Sequence, residues 1–367
     1  MSPVGVGVIG AGVISKQYLE NLTAFGDLKV HVVADLFEAA AAERAVEFGV
    51  ENHGGVEAAL DHPDVEIIVN LTTPAAHVEV ATAAVAAGKH VWSEKPFSLD
   101  RESGQELLAT ATAAGLRLGC APDTFLGAGL QTARRMIERG DIGQPLTALT
   151  LFQSPGPESW HPNPAFLFQQ GAGPLFDMGP YYLTALIQTF GSISRVAALS
   201  SKAQQSRVIG SGPKAGERFD VEVPSHFGAL YEFAEGGSGQ SIFSFDSAKP
   251  RMGFLEITGT EATIALPDPN NFDGEIKICA LGSDEWSTLP SRGAVAGRGL
   301  GVLDMARSIR ASVPHRASGA QAYHVVDAMV SIAESAARKE FVELTSTAPS
   351  SPALAEDWDP YALTLES

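Results

Sequence analysis

The stretch VGVGVIGAGVIS, residues 4–15, constrains the fold more than any other part of the chain. Val4–Ile9 is an apolar run of strand length, and a glycine-rich turn and helix-forming residues follow it. Gly10 and Gly12 take the first two places of G-x-G-x-x-G, and Ser15 takes the third. Gly10 permits a tight turn, Gly12 lets the backbone approach a pyrophosphate, and the third place needs only a small residue. Val13 and Ile14 open the helix, whose free N–H groups and dipole favour an anion at that end. Asp35 closes KVHVVAD, 20 residues after Ser15. A carboxylate there binds the ribose hydroxyls of NAD and repels the 2′-phosphate of NADP. The bland alternative is a glycine-rich strand-to-helix turn in some other α/β protein.

Over roughly the first 125 residues the pattern repeats. Short apolar runs at Val4–Ile9, Val30–Ala34, Ile67–Leu71, His90–Trp92 and Leu116–Cys120 suit parallel strands covered on both faces. Alanine-rich segments separate them. VEVATAAVAAGKH ends in Gly88, where a helix-stopping glycine belongs, and LDRESGQELLATATAAG pairs an N-cap at Asp100 with a stop at Gly115. This alternation predicts an α/β domain with a doubly wound parallel sheet over residues 1–124. Beyond Gly143 the strand-like runs LTALTLFQ, SHFGALYEF, GQSIFSFD, FLEITGT, EATIAL and GEIKICAL follow one another with few helices between them. They predict an α+β domain at 125–345 with one large, mostly antiparallel sheet. Helices are expected from near Pro180, at Leu300–Ala311 and at Gln321–Arg338, and an extended or loose Ser/Pro/Ala-rich tail at 346–367.

With 25 Lys plus Arg against 43 Asp plus Glu, the net charge is −18. So acidic a surface repels phosphate backbones and anionic lipid, so neither nucleic acid nor membrane is an expected partner. Cys120 and Cys279, both in apolar runs, suit buried inert thiols and a reducing cytoplasm. No run approaches the roughly 18 apolar residues of a membrane span, and the N-terminus lacks signal-peptide features. The scattered histidines show no metal-ligand spacing, and no G-x-S-x-G elbow is present, so neither a metal nor a serine nucleophile is expected.

The chemistry concentrates at VWSEKPFSLD, where Glu94, Lys95 and Pro96 follow a buried strand at the end where ligands bind. Five stretches together resemble the Gfo/Idh/MocA oxidoreductases: VGVIGAGVIS, VADLFEAAAAERAVEFG, TTPAAHVEVATAAVAAGKHVWSEKP, GAGPLFDMGPYY and HRASGAQAYHVVDAM. The A-G-K-H-V-x-x-E-K-P stretch is the specific one. A lysine there can point at the nicotinamide end of a cofactor and at a substrate hydroxyl, so Lys95 is a candidate for both contacts, and the resemblance implies that it is the catalytic lysine. It implies that Thr72, Thr73, Pro74 and His77 line the cofactor site and that Glu94 stands near the nicotinamide ribose. Asp177 matches the aspartate of the family's second motif, but Tyr181 stands where many members carry a histidine. Other branches of the family use a tyrosine with the lysine. A phenol, with an ordinary pKa near 10, is a poor base at neutral pH, and a neighbouring ammonium favours the phenolate. Tyr182 competes for the role. The resemblance also implies a homodimer or homotetramer.

Just before this motif, SPGPESWHPNPAFLFQQGAG sets Trp160, His161, Asn163 and Phe166 among four prolines. Aromatic faces suit the C–H faces of sugars, so Trp160 and His161 join Lys95, Asp177 and Tyr181 as candidate substrate contacts, with His161 an alternative acid/base. A rigid surface loop with an incidental histidine is the competing account. Asp123, after the last strand of the first domain, is a candidate hydroxyl ligand, whereas His324 and Asp327 read as structural. The expected activity is NAD-linked hydride transfer at a secondary hydroxyl or ketone of a sugar, glycoside, inositol or related polyol. The rivals are an NAD-dependent glycosidase working by transient oxidation and a non-catalytic sugar sensor.

Overall fold

A computed structural model describes residues 2–365. The chain divides into two compact units, one from Met1–Ala128, Arg292–Val326 and Ser351–Ser367, the other from Gly129–Ser291 and Asp327–Ser350. The sequence reading drew its boundary at 124/125 and set 346–367 apart as a tail. Compactness instead places residues 292–326 and 351 onward with the first unit.

In the first unit β1 (Val4–Ile9), β2 (Leu28–Ala34), β3 (Asn52–Gly54), β4 (Ile67–Asn70), β5 (His90–Ser93) and β6 (Leu118–Cys120) form one sheet. Its order is β3-β2-β1-β4-β5-β6 and every pairing is parallel. Helices α1 (Val13–Leu22), α2 (Glu38–Phe48), α3 (Val56–Leu60), α4 (His77–Ala86) and α5 (Arg101–Ala113) make the crossovers. Every residue of β1 and β4 is buried, as a strand covered on both faces requires. Asp100 caps α5 by accepting from Ser103 N at 2.8 Å, and Gly115 follows the helix at φ +67°. Trp92 is fully buried, and a Cβ on Gly301 would lie 1.9 Å from its ring. Truncating such a side chain to alanine costs about 3–5 kcal/mol.

The last residues of the described chain are extended but not loose. Asp27, 1% exposed, accepts from Thr364 N, Leu365 N, Thr364 Oγ1 and Arg307 Nε at 2.7–3.0 Å. One buried carboxylate thus fastens the end of the chain, a long-range pairing that composition could not reveal. Leu354 and Leu365 are buried beside it in sequence.

The second unit holds a sheet of nine strands: β7 (Pro145–Gln153), β8 (Ile193–Ser201), β11 (His226–Phe233), β12 (Ser238–Ser244), β13 (Arg251–Gly259), β14 (Ala262–Leu266), β15 (Ile276–Ala280), β16 (Ser287–Leu289) and β17 (Val342–Glu343). The order is β16-β15-β14-β13-β7-β12-β11-β8-β17, and only β12 and β7 run parallel. Strands β9 (Ser206–Val208) and β10 (Arg218–Asp220) form a separate hairpin between β8 and β11. Helix α6 (Ala128–Arg139) precedes the sheet, and α7 (Gly173–Phe190) packs on β7, β11 and β12. Helices α8 (Leu300–Ala311) and α9 (Gly319–Arg338) follow. Along β7 the buried residues alternate as Ala148, Thr150 and Phe152, while Leu149 points outward. Leu199 and Leu230 are exposed on the same sheet.

Two local expectations need correction. The helix expected from Pro180 begins at Gly173, with a proline in its first turn and Pro180 inside it. Pro174 fits there because the first-turn N–H groups have no helical partner. Pro180 lacks the N–H that would bond one turn back, yet fifteen of the helix's residues are buried and packing carries it. Cys279, expected buried, is partly exposed on β15, one strand from the sheet edge. Among the described residues, no helix is long and apolar enough to cross a membrane.

Candidate active site

In the first unit the strand order reverses between β1 and β4, and ligands of such sheets bind beyond the carboxyl ends at that point. Gly10 sits there at φ +109°, and a Cβ would lie 2.7 Å from the Leu71 carbonyl. Only glycine fits. Gly12 is the N-cap of α1 with nothing within 4 Å of a Cβ position, and Val13 beside it is 91% exposed. No side chain caps this helix, so its first N–H groups face open space. Asp35 joins the turn to the end of β2: Oδ2 accepts from Ala11 N at 2.7 Å and Oδ1 from Phe37 N at 2.8 Å. Each oxygen keeps a further lone pair for a ribose hydroxyl. An uncapped helix start, an open glycine and a fixed carboxylate fit a dinucleotide without a 2′-phosphate. Arg44, whose Nη2 lies 3.4 Å from the Gly12 carbonyl, is already paired with Glu47.

The T-P-x-x-H segment begins after β4. Thr72 donates to Asn70 Oδ1 at 2.7 Å, while Asn70 Nδ2 donates to the His77 carbonyl at 2.9 Å. Thr73 and Pro74 are exposed. His77 is buried instead, its ring nitrogens 2.8 Å from the Pro96 carbonyl and 3.1 Å from that of Thr72. Burial pulls its pKa below the ordinary value, against the two carbonyls. Its side chain therefore braces two loops.

Glu94 and Lys95 leave the end of β5. Glu94 is 8% exposed; Oε1 accepts from Tyr18 Oη at 2.9 Å and from Arg298 at 3.3 Å, and Oε2 from Lys95 N at 3.0 Å. Trp92 Nε1 donates to the Tyr18 hydroxyl at 3.3 Å. Burial, then the Glu94 charge, pushes the Tyr18 phenol well up. This network fixes the backbone from which Lys95 departs, and Lys95 itself is half-buried. Tyr18 and Arg298 lie 76 and 204 residues from Glu94, and no local pattern marks either.

Asp123 is fully buried, and Oδ2 accepts from Gly299 N at 2.9 Å and Gly301 N at 3.1 Å. Through Oδ2 it holds the segment that carries Arg298, while Oδ1 is buried without a hydrogen-bond partner. Burial raises its carboxyl from 3.8 to about 6, with Arg298 opposing.

In the second unit Asp177 and Tyr181 stand four residues apart on α7 and so share one face. Tyr181 is 5% exposed and Asp177 is half-buried. Its neighbour Tyr182 is fully buried, and the Tyr182 hydroxyl accepts from Gly253 N at 2.8 Å. Burial pushes that phenol far up, and the neighbouring Asp268 adds to the shift. Trp160 is 68% exposed, and His161 lies between it and Phe166 with ring centroids 5.5 Å away on each side. His324 and Asp327 are buried, and Asp327 Oδ2 accepts from Ser346 Oγ at 2.6 Å. Metal spacing was not visible in the sequence, yet the fold gathers His31, His62 and Asp64, with ligand atoms within 4.8 Å of one another. His62 Nδ1 accepts from Asp64 N at 3.2 Å, which leaves the ring proton on Nε2, 3.4 Å from Asn52 Nδ2.

Comparison with known proteins agrees with these features. Residues 4–121 match the oxidoreductase family with an NAD-binding Rossmann fold, and residues 130–265 match the GFO/IDH/MocA C-terminal domain. A 1,5-anhydro-D-fructose reductase of Ensifer adhaerens is 27% identical over 72% of this chain and 83% of its own. A levoglucosan dehydrogenase of Pseudarthrobacter phenanthrenivorans is 27% identical over 72% of this chain and 74% of its own. Among solved structures, levoglucosan dehydrogenase with NADH and L-sorbose superposes with a TM-score of 0.81 at 23% identity, covering 94% of this chain and 99% of its own. With both halves matched in order, the open glycine turn and the E-K-P loop are those of an NAD-binding oxidoreductase, and the chain belongs to the GFO/IDH/MocA family.

Proposed function

We propose that this oxidoreductase moves hydride between NAD and a secondary hydroxyl or ketone of a sugar, glycoside, inositol or related polyol. The observation that carries the reading is the E-K-P loop, held by Glu94 on Tyr18 and Arg298 at the carboxyl end of β5, in the same unit as the open glycine turn. The names of the relatives point to the same substrate class.

When bound, NAD supplies the hydride acceptor. Gly10 and Gly12 would bring backbone to its pyrophosphate, the first N–H groups at Val13 and Ile14 would meet its charge, and Asp35 would take the ribose hydroxyls. Thr72, Thr73, Pro74 and Glu94 would line the nicotinamide half. Lys95 and Tyr181 would handle the substrate proton: the ammonium stabilises a developing alkoxide or phenolate, and the phenol oxygen takes the proton. Asp177 would orient the substrate. Trp160 and His161 would contact the ring. Leu149, Leu199 and Leu230 on the outward face of the large sheet support a homo-oligomer.

The test is purified protein mixed with NAD⁺ or NADP⁺ and a panel of inositols, aldoses, anhydrosugars and glycosides, followed by the near-ultraviolet absorbance of reduced nicotinamide. Reduction of NAD⁺ by one class establishes the reading. A preference for NADP⁺ refutes the role of Asp35. Glycoside cleavage without net reduction, or binding without either, refutes the dehydrogenase.

A further inference from the structure

The aromatic loop of the second unit is held from beneath by one arginine. Arg207, on β9, is 4% exposed. Its Nη1 reaches Glu158 Oε1 at 2.5 Å and the Pro155 carbonyl at 3.0 Å. Its Nη2 reaches Asp246 Oδ1 and, at 3.0 Å, the Phe245 carbonyl. The guanidinium lies 4.9 Å from the Phe168 ring centroid. Pro155, Glu158 and Phe168 all belong to the loop that carries Trp160, His161 and Phe166, whereas Asp246 and Phe245 follow β12 in the scaffold. One side chain therefore joins the two ends of the loop to the sheet.

The surroundings are shaped for this clamp. Gly156 is at φ +109°, and a Cβ there would lie 2.3 Å from Glu158 Oε2 and 2.5 Å from Arg207 Nη1. Gly210, beyond β9, donates to the Glu158 carbonyl at 2.7 Å, and a Cβ on Gly212 would lie 2.5 Å from Pro162. Two carboxylates on one buried guanidinium leave an excess negative charge, and Glu158 Oε2 and Arg207 Nε are buried without a hydrogen-bond partner. Burying ions so incompletely matched is a poor way to gain stability alone. Between those ends, Trp160 and Phe166 stay exposed at 68% and 46%, with His161 edge-to-face between them. Exposed, mutually braced rings on a pinned loop suit a preformed surface for a pyranose or cyclitol ring.

We propose that Arg207 is a positioning residue: through Glu158 it holds the Trp160–His161–Phe166 platform in the geometry that binds the substrate ring. The proposal rests on the functional reading above, in which this loop meets the sugar. It acts on substrate affinity, leaving cofactor binding and proton transfer at Tyr181 alone.

The test uses Glu158→Gln, which releases the loop while Arg207 keeps Asp246, beside Arg207→Met and Arg207→Lys. Hydrogen exchange over residues 157–168 is measured first. Faster exchange of this segment in Glu158→Gln and Arg207→Met, with the β7–β12 strands unchanged, supports the clamp. Unchanged exchange overturns it. Kinetics with the best sugar of the panel then read the consequence. The sugar KM rises about tenfold in both variants, roughly one charge-assisted hydrogen bond's worth. The kcat and the KM for NAD stay within about twofold, and Arg207→Lys recovers part of the loss. In a Trp160→Ala background Glu158→Gln has no further effect on the sugar KM, because the platform is already gone. Additive effects, or equal losses in kcat for every substrate, overturn the proposal as those of a purely structural ion cluster. A wild-type protein inactive toward every sugar refutes the functional reading instead, and the proposed effect on substrate with it, while exchange still decides whether Arg207 holds the loop.

Discussion

The glycine turn of the first unit and the aromatic loop of the second are both shaped by close approaches, but of different kinds. At Gly10 the neighbour is backbone, the Leu71 carbonyl, and the constraint is met by one residue type. At Gly156 the neighbours are the tips of Glu158 and Arg207, and the constraint is met by three residues that must cooperate. A cofactor common to a whole family is held by backbone and helix dipole, which tolerate little change. In the proposed reading, a substrate that differs between relatives would be met by exposed rings that a side-chain clamp holds in place. Affinity for NAD and selectivity among sugars should therefore be separable by mutation.

The largest effect that would break this comparison lies on α7. Tyr181→Phe is expected to lower kcat by about 10²–10⁴, the usual worth of a positioned acid/base, with the KM for NAD unchanged. Retained kcat would move the proton to His161. Gly10→Ala tests the backbone side: positive φ and the Leu71 contact together cost about 3–4 kcal/mol. It should lower Tm in the absence of cofactor, and a calorimetric scan reads it. An unchanged Tm would mean that the turn relaxes freely.

Asp123 sharpens the comparison through pH. Its folded carboxyl keeps a proton up to about pH 6, whereas an unfolded aspartate releases it near 3.8. The folded state is therefore favoured below pH 4 and loses that advantage as pH rises to about 6. Relative to Asp123→Asn, the wild type should lose about 3 kcal/mol between pH 4 and 7 by urea unfolding. A parallel pair of profiles would contradict the buried, half-satisfied carboxylate. The smallest effect belongs to Tyr182→Phe, which strands the Gly253 N–H and should cost about 1–2 kcal/mol of stability with kcat intact.

What the sequence disclosed follows the same division. Strands buried on both faces leave continuous apolar runs, so β1, β2, β4, β5 and β6 were each visible. Asn52–Gly54 was not, being a three-residue edge strand without an apolar run. Residues 193–201 mix serine, arginine and alanine, and β8 escaped for that reason. The E-K-P loop and Asp35 were legible because their chemistry needs fixed residue types at fixed spacing. The partners that hold them were not: Arg298 meets Glu94 across 204 residues, and Arg207 meets Glu158 across 49. That Tyr182 meets Gly253 across 71 residues was equally hidden, since no helix pattern supplies it.

The central claim is that Lys95 serves the substrate proton and not the binding of NAD. The most direct measurement compares the wild type with Lys95→Met, taking NAD affinity by calorimetry and NADH formation in a single turnover with saturating sugar. The account predicts NAD affinity within about threefold of wild type and turnover reduced by at least about 10³. Turnover near the wild-type rate, or a loss explained wholly by lost NAD binding, would contradict it.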